Sequence, residues 1–297
     1  MAVITGGGGG IGKAMGERFA REGMKVVLAD VDSALLDATV AELRDRSHDV
    51  TGVATDVSDM ASVEQLRDAT LSTYGAVHLV CNNAGIGSGS EGQLWQHHLN
   101  DWRWSMDVNV YGVIHGINAF VPVMLEQGVE GHIVNTSSGN GGFYPLANSA
   151  IYATTKAAVV TITECLWGQL HAIDAPISAS VLFPSGRTPG MLNTGIWRPG
   201  RNRPAKYARE GADPAGRDAL ATFVDDMTKQ GIEVRFAPLE EVADLALQGV
   251  RDDIFWIHVP GERTTSMIEA RTQSILDRSP PDYLKIPLTP PRASRSG

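Results

Sequence analysis

Between the apolar run Ala2 to Thr5 and the helix-forming stretch Lys13 to Glu22, the chain reads Thr5-Gly6-Gly7-Gly8-Gly9-Gly10-Ile11-Gly12. Five successive glycines are a poor interior for a helix or a strand, because each loses more backbone entropy there than any other residue. Set between a strand and a helix, they suit a tight turn whose amides approach a ligand, with the positive end of the helix behind them. Gly6, Gly8, Gly9, Gly10, Ile11 and Gly12 are therefore candidates to cradle a pyrophosphate. Asp30 stands eighteen residues past Gly12, at the end of the second apolar run. A dinucleotide-binding fold places the acid that binds the adenosine ribose at about that distance. A carboxylate there repels a 2′-phosphate and favours NAD over NADP, with Lys13 as the one charge pointing the other way. The competing readings are a merely flexible turn, and an Asp30 or Asp32 that only caps the next helix.

The same rhythm continues down the chain. Apolar runs at 2–5, 25–29, 50–55, 77–81, 131–136, 177–183 and 253–259 predict seven strands. Helical patterns lie near 11–23, 33–46, 60–74, 101–127, 151–171 and 239–251, with Asp32 or Ser33 and Asp59 as start signals. Strands alternating with helices predict an α/β fold of Rossmann type, a doubly wound, seven-stranded parallel sheet with helices on both faces in a single domain. In the helix at 101–127, Met106, Val110, Val113, Ile117, Val121 and Met124 recur at helical spacing and are expected to face the core. Asn109, Gly112 and Gly116 form a second stripe that lets a neighbouring backbone or a water come close.

The domain is expected over 1–262, with 187–237 as an insertion rich in Gly, Pro and Arg that reads as a substrate lid. A helical extension is expected over 263–278. The Pro-rich stretch 279–297 cannot form a packed core and reads as a mostly disordered tail. The first strand begins at Ala2, which points to a missing or misassigned start.

A formal charge of −9, from 25 basic and 34 acidic residues, argues against a nucleic-acid or anionic-membrane surface and for small-molecule partners. No apolar run approaches the length of a membrane span and no signal peptide is legible, so a cytoplasmic location is expected. Cys81 and Cys165 both read as core filler rather than a disulfide. His97-His98 has no acid or thiol at ligand spacing, so no metal is expected.

Tyr152 and Lys156 stand one helical turn apart in Ile151-Tyr152-Ala153-Thr154-Thr155-Lys156. A phenol and an ammonium on one helix face can converge on one bound molecule. Bringing a phenol with a pKa of ~10 near neutrality takes roughly 4 kcal/mol, which a cation about 4 Å away supplies in a sheltered cleft but not in open water. Alone the pair is weak, since chance yields roughly 0.1 such matches in a chain of this composition.

Taken in order, these motifs resemble the classical short-chain dehydrogenases/reductases. The resemblance rests on Thr5-Gly6 with Gly10-Ile11-Gly12, Asp56-Val57, Asn82-Asn83-Ala84-Gly85, Asn109-Val110-Tyr111-Gly112, Ser138, and Tyr152-x-x-x-Lys156. It covers 1–186 closely and 238–260 loosely. It implies that Asp56 meets the adenine amino group with Val57 beside the ring, and that Asn83, Ala84 and Gly85 lie along the adenosine side. It further implies that Tyr152 exchanges a proton with the substrate oxygen, and that Lys156 lowers the Tyr152 pKa and bonds the nicotinamide ribose. In the same scheme Ser138 holds the substrate oxygen and Asn109 anchors a relay water. The oxidised nicotinamide ring is the second cation expected to act on Tyr152.

Two departures stand out. Ser138 lies fourteen residues before Tyr152, one more than the family spacing, which leaves Ser137 as an alternative to the preferred Ser138. After the sixth strand the family has Pro-Gly, whereas this chain has Pro184-Ser185-Gly186-Arg187-Thr188, so nicotinamide contacts from Pro184, Gly186 and Thr188 are expected less firmly.

Phe143, Tyr144, Met191 and Trp197 are the candidate substrate wall, with Tyr207, Phe223 and Met227 as further lid side chains, and they point to an apolar or aromatic alcohol or ketone. Arg198, Arg201 and Arg203 read as a solvated basic loop rather than an anion grip. The expected activity is NAD(H)-dependent interconversion of a secondary alcohol and a ketone by a homodimer or homotetramer. The alternatives are a non-catalytic dinucleotide sensor, disfavoured by the intact set of four catalytic residues, and a dehydratase or epimerase that uses NAD transiently.

Overall fold

Each apolar run is a strand in the computed structural model, which describes residues 1–87, 93–209, 219–229, 231 and 233–285. β1 (Ala2–Thr5), α1 (Gly10–Arg21), β2 (Val26–Asp30), α2 (Ser33–Asp45), β3 (Val50–Ala54), α3 (Met60–Tyr74) and β4 (Leu79–Asn82) come first. α4 (Leu99–Met106), a π turn (Asp107–Tyr111) and α5 (Gly112–Gln127) then form one continuous rod. β5 (Gly131–Thr136), α6 (Ala150–Ala172) and β6 (Ile177–Leu182) follow, and α7 (Ala219–Lys229) lies within the insertion. α8 (Leu239–Arg251), β7 (Trp256–Ile257) and α9 (Glu262–Leu276) come last.

The strands form a single sheet in the order β3-β2-β1-β4-β5-β6-β7, parallel at every pairing. The central strands are apolar on both faces because both faces are covered. Met15, Phe19, Leu36, Val242 and Leu247 cover one side from α1, α2 and α8. Leu66, Phe120, Met124, Leu166 and Leu170 cover the other from α3, α5 and α6. Each such side chain contributes roughly 1.5–3 kcal/mol by leaving water. From β1 the chain steps outward to β2 and β3, then returns to lay β4 on the opposite side of β1. The loops leaving β1 and β4 therefore part, and a crevice opens at the C-terminal ends of the strands.

Local signals account for most boundaries. Asp32 and Asp59 cap α2 and α3 by accepting from the amides of Leu35 and Ala61. Gly75 and Gly128, at φ 75° and 63°, end α3 and α5 in the left-handed conformation. β7 is shorter than the expected 253–259, because only Trp256 and Ile257 find partners, in Val181 and Leu182.

Further sequence expectations are corrected. On the rod, Val110, Val113 and Met124 are buried, but Met106, Ile117 and Val121 are only partly so, and Ala119 and Phe120 join the core. The π turn takes up an extra residue and rotates the downstream face. An 18-residue window of the rod Leu99–Gln127 reaches mean hydropathy 1.5, so the helix is long and apolar enough by length and composition to cross a membrane, contrary to the expectation that no run approaches that length. Its Ala119, Phe120 and Met124 instead pack into the core beneath the sheet. Cys165 is exposed, whereas Cys81 is fully buried and burial pushes its thiol up. Of the Pro-rich stretch 279–297, the described part holds a 3-10 turn at Asp282–Lys285, and Ser274 Oγ donates to the carbonyls of Ser279 and Pro280 at 3.0 and 3.3 Å. Residues 286–297 lie outside the described residues.

Candidate active site

The glycine turn sits at the mouth of the crevice. Gly7 N donates to Ala29 O at 2.9 Å, which ties the turn to β2. A Cβ on Gly12 would stand 2.1 Å from the carbonyl oxygen of Gly6, so no larger residue fits that close crossing of the turn and α1. Gly6 and Gly10 take φ of 67° and 54°, the left-handed region that glycine occupies without penalty. Gly9 caps α1 with no side-chain bond, and no acid stands in the first turn. The helix thus presents an uncapped, uncontested positive end, which suits a dinucleotide pyrophosphate. Ile11 is half-buried against the core beneath.

Asp30 ends β2 beside this turn. Its carboxylate accepts from Gly8 N and Asp32 N, both at 3.0 Å, while the cap of α2 is Asp32. Asp30 is therefore not the helix cap. Lys13 is turned away, its Nζ donating to Glu42 at 2.5 Å. Asp56 makes a turn of its own, accepting from the amide and the hydroxyl of Ser58 at 2.9 and 2.7 Å. The Val57 side chain is buried in the core, close to where a Cβ on Gly112 would lie. Any contact Val57 makes with a ring falls to its backbone.

Thr5 joins the two loops that flank the crevice. Its hydroxyl accepts from Asn83 N and Ala84 N at 2.9 and 3.0 Å, and Asn83 Nδ2 donates to Thr5 O at 3.0 Å. Asn83 is thus a clamp between β1 and the loop after β4. A Cβ on Gly85 would stand 3.4 Å from both Asn109 Oδ1 and Lys156 Nζ, so this glycine leaves room between the two groups.

Asn109, Ser138, Tyr152 and Lys156 are drawn together from three elements. Asn109 sits in the π turn, nearly fully buried. Its Oδ1 accepts from Ile86 N at 2.8 Å, and its Nδ2 donates to Ile86 O and Thr155 Oγ1, both at 3.0 Å. Ser138 caps the turn after β5, accepting from Asn140 N at 3.2 Å, and its side chain lies close enough to Tyr152 to lower the phenol's pKa. Ser137 Oγ instead donates to Lys156 O at 2.7 Å and is buried, so Ser138 is the hydroxyl that faces the phenol. Gly141, at φ 100°, holds this turn against α6, where a Cβ would stand 2.1 Å from Ala153 O.

Lys156 Nζ donates to Thr136 O at 2.9 Å and lies 5.7 Å from the centre of the Tyr152 ring. Burial pushes the Tyr152 phenol up to about 12, against a smaller lowering from Ser138. Burial likewise pushes the Lys156 ammonium down to about 8. The shift of Tyr152 runs opposite to the one expected from Lys156, because shelter from water disfavours the phenolate more than its neighbours favour it.

The other expected contacts are distributed differently. Thr188 gives its amide and its hydroxyl to Glu241 of α8 at 2.8 and 2.5 Å. Gly186 packs where a Cβ would stand 2.8 Å from Ala237 Cβ and Glu241 Oε2. Pro184 leads into this half-buried stretch. The side chain that reaches the glycine turn is Thr194, 3.5 Å from where a Cβ on Gly10 would be. A Pro-Gly pair does occur five residues beyond Pro184, at Pro189-Gly190, ahead of Thr194 in the chain.

Phe143 stacks on Phe183 at 3.9 Å between ring centroids and meets His258 edge-on at 5.1 Å, so its ring is engaged in packing. Tyr144 and Trp197 are half-buried, and Trp197 Nε1 donates to Leu192 O at 3.0 Å. Met191 is bridged to Phe236 in a short parallel pairing. Arg203 is no solvated loop residue: it pairs with buried Asp101 at 2.7 Å. Tyr207 is buried, Met227 is half-buried, and the Phe223 side chain lies outside the described part of the structure.

A family model for short chain dehydrogenases matches residues 1–200. The 1-deoxy-11-beta-hydroxypentalenate dehydrogenase of Streptomyces exfoliatus is 39% identical over 199 residues, 67% of this chain and 70% of its own. The C alpha-dehydrogenase of Sphingobium sp. strain SYK-6 is 30% identical over 282 residues, 95% of this chain and 87% of its own. A short chain dehydrogenase/reductase from Burkholderia phymatum, solved in complex with NAD, superposes with a TM-score of 0.84 at 37% identity, covering 97% of each chain.

Proposed function

The chain belongs to the short-chain dehydrogenase family, and from that premise we propose that it interconverts a secondary alcohol and a ketone with NAD(H), using Tyr152 as general acid and base. The observation that carries this reading is the meeting of Ser138 and Tyr152 side chains, with Lys156 one turn further along α6, at the open ends of the strands.

The bound nicotinamide supplies or accepts the hydride. In the reducing direction Tyr152 gives its phenolic proton to the carbonyl oxygen, and Ser138 donates a hydrogen bond that orients that oxygen. In the oxidising direction the phenolate takes the alcohol proton. Lys156 holds a positive charge beside the phenol and would bond the nicotinamide ribose. Both polar ends of the Asn109 amide are occupied by Ile86 and Thr155. Oδ1 has a second lone pair beyond the one Ile86 uses, and through it Asn109 would hold the relay water.

NAD rather than NADP is supported by Asp30 beside the cradle and by Lys13, whose charge is engaged by Glu42. An apolar or aromatic substrate is supported by Tyr144, Met191 and Trp197 beyond the catalytic hydroxyls. We place the enzyme in the cytoplasm as a homodimer or homotetramer, a state that light scattering tests. The deciding assay is reduction of NAD and NADP with a panel of secondary alcohols. Turnover with NAD on apolar or aromatic members is expected, and no turnover in either direction with either nucleotide overturns the reading. Asp30→Ala should raise kcat/KM for NADP relative to NAD at least about tenfold, the effect of removing a repulsion worth about 1.4 kcal/mol.

A further inference from the structure

The segment after β6 does not merely border the crevice but crosses it. At one end Thr194 lies against the glycine turn, 3.5 Å from where a Cβ on Gly10 would be. Two residues on, the Ile196 carbonyl oxygen stands 2.6 Å from where a Cβ on Gly87 would be, in the loop after β4. These two loops are the walls of the crevice, so the backbone between Thr194 and Ile196 bridges them.

Beyond the bridge the chain descends through short 3-10 turns, Pro199–Asn202 and Ala205–Tyr207, and is fastened to the rod that carries Asn109. Asp101 of α4 is 1% exposed and pairs with Arg203 at 2.7 Å and Arg209 at 3.3 Å. The Arg203 guanidinium also lies over the buried ring of Trp104, 4.9 Å from its centre, and its Nε donates to Tyr207 O at 2.7 Å. Asn100 Nδ2 donates to Ala208 O at 2.9 Å. Tyr207, itself buried, gives its hydroxyl to Asp107 at the start of the π turn. Removing one partner of a buried ion pair leaves the other charge without compensation, so such an anchor opens reluctantly.

We propose that 194–209 is a strap over the dinucleotide, that Asp101, with Arg203 and Arg209, is the positioning group that keeps it fastened, and that release of the cofactor requires this anchor to let go. The strap rests on the reading of the crevice as a dinucleotide site. It predicts that the anchor governs the residence time of NAD(H) and leaves the hydride step alone, since none of its residues touches Ser138, Tyr152 or Lys156.

The test is stopped-flow release of NADH, followed by its fluorescence, beside single-turnover hydride transfer and melting curves. Asp101→Asn and Arg203→Met are expected to release NADH at least about tenfold faster, with the hydride step within about twofold of wild type. Arg203→Lys, which keeps the charge, is expected to restore part of the slow release, a recovery that general loosening of the fold does not give. If Asp101→Asn does not fold, Tyr207→Phe removes the second fastening by one oxygen and is expected to speed release in the same sense. Wild-type release rates in folded Asp101→Asn, Arg203→Met and Tyr207→Phe overturn the strap. A wild-type protein that binds neither NADH nor NADPH overturns the dinucleotide reading instead.

Discussion

Burial sets the protonation states at the candidate centre more than the attraction between the two side chains does. Tyr152, pushed up to about 12, stays protonated across the neutral range and suits the proton-giving role in carbonyl reduction. Alcohol oxidation needs the phenolate. Its kcat is therefore expected to climb with pH between about 7 and 10, while reduction holds level and then declines above about 8 as Lys156 loses its charge. Rates measured in both directions across that range check the signs. Tyr152→Phe should lower turnover at least about 100-fold, the usual scale of a lost general acid, with NADH binding kept in fluorescence titration. Activity near wild type would remove Tyr152 from the mechanism. Asn109, Ser138, Tyr152 and Lys156 were legible as candidates because the resemblance ties them to spacing and order along the chain. The contacts of Thr5, Thr155 and Thr194 were not, because each forms only in the folded chain, such as that of Thr155 with Asn109, 46 residues apart.

Elements meet closely here because small residues stand where they cross. Gly116 of α5 faces β4, where a Cβ would stand 2.0 Å from Asn82 Oδ1. Behind it a buried polar ladder runs from Asn82 Nδ2 to Asn135 Oδ1 at 2.9 Å and from Asn135 Nδ2 to Thr163 Oγ1 at 3.0 Å. Gly116→Ala must push the helix off the sheet or break that ladder, and is expected to destabilise by about 1–3 kcal/mol. Gly168→Ala, at an exposed site in α6 with nothing within 4 Å of the new Cβ, is expected to stabilise by about 0.5–1 kcal/mol instead. Urea midpoints for the two variants separate the cases, and equal shifts would contradict this account of the crossing. The stripe Asn109, Gly112 and Gly116 was readable from side-chain size alone, and the extents of α3 and α8 from their helical periodicity. The π turn was not, since no residue type in Asp107–Tyr111 demands it; it follows from Asn109 being held by Ile86 on one side and α6 on the other. Beyond the turn Val113 and Met124 are core as read from their spacing, while Ile117 and Val121 pack against it only partly buried.

At the scale of the molecule the seven-stranded parallel sheet could be anticipated from alternation, but the crevice exists only because β1 has β2 on one side and β4 on the other. That arrangement buries Lys156 to 3% exposure, and its burial opposes stability. Its folded pKa, about 8, lies below the ordinary 10.5. Below pH 8 both the folded and unfolded chains carry the proton, and the folded one bears a sheltered charge at a cost on the order of a few kcal/mol. As pH rises through 8 the folded state sheds that proton before the unfolded state does, so the unfolded chain binds more protons and stability increases. The gain continues toward pH 10, where Tyr152 reverses it: its phenol, raised from 10 to about 12, keeps its proton longest in the folded state, so stability falls as pH climbs further. Lys156→Met should therefore be inactive yet more stable than wild type at pH 7, with the difference shrinking between about pH 8 and 10. Denaturant unfolding of both proteins at pH 7 and pH 9.5 measures that difference. A variant less stable at pH 7 would mean that the bond from Nζ to Thr136 O, at 2.9 Å, contributes more than the sheltered charge costs.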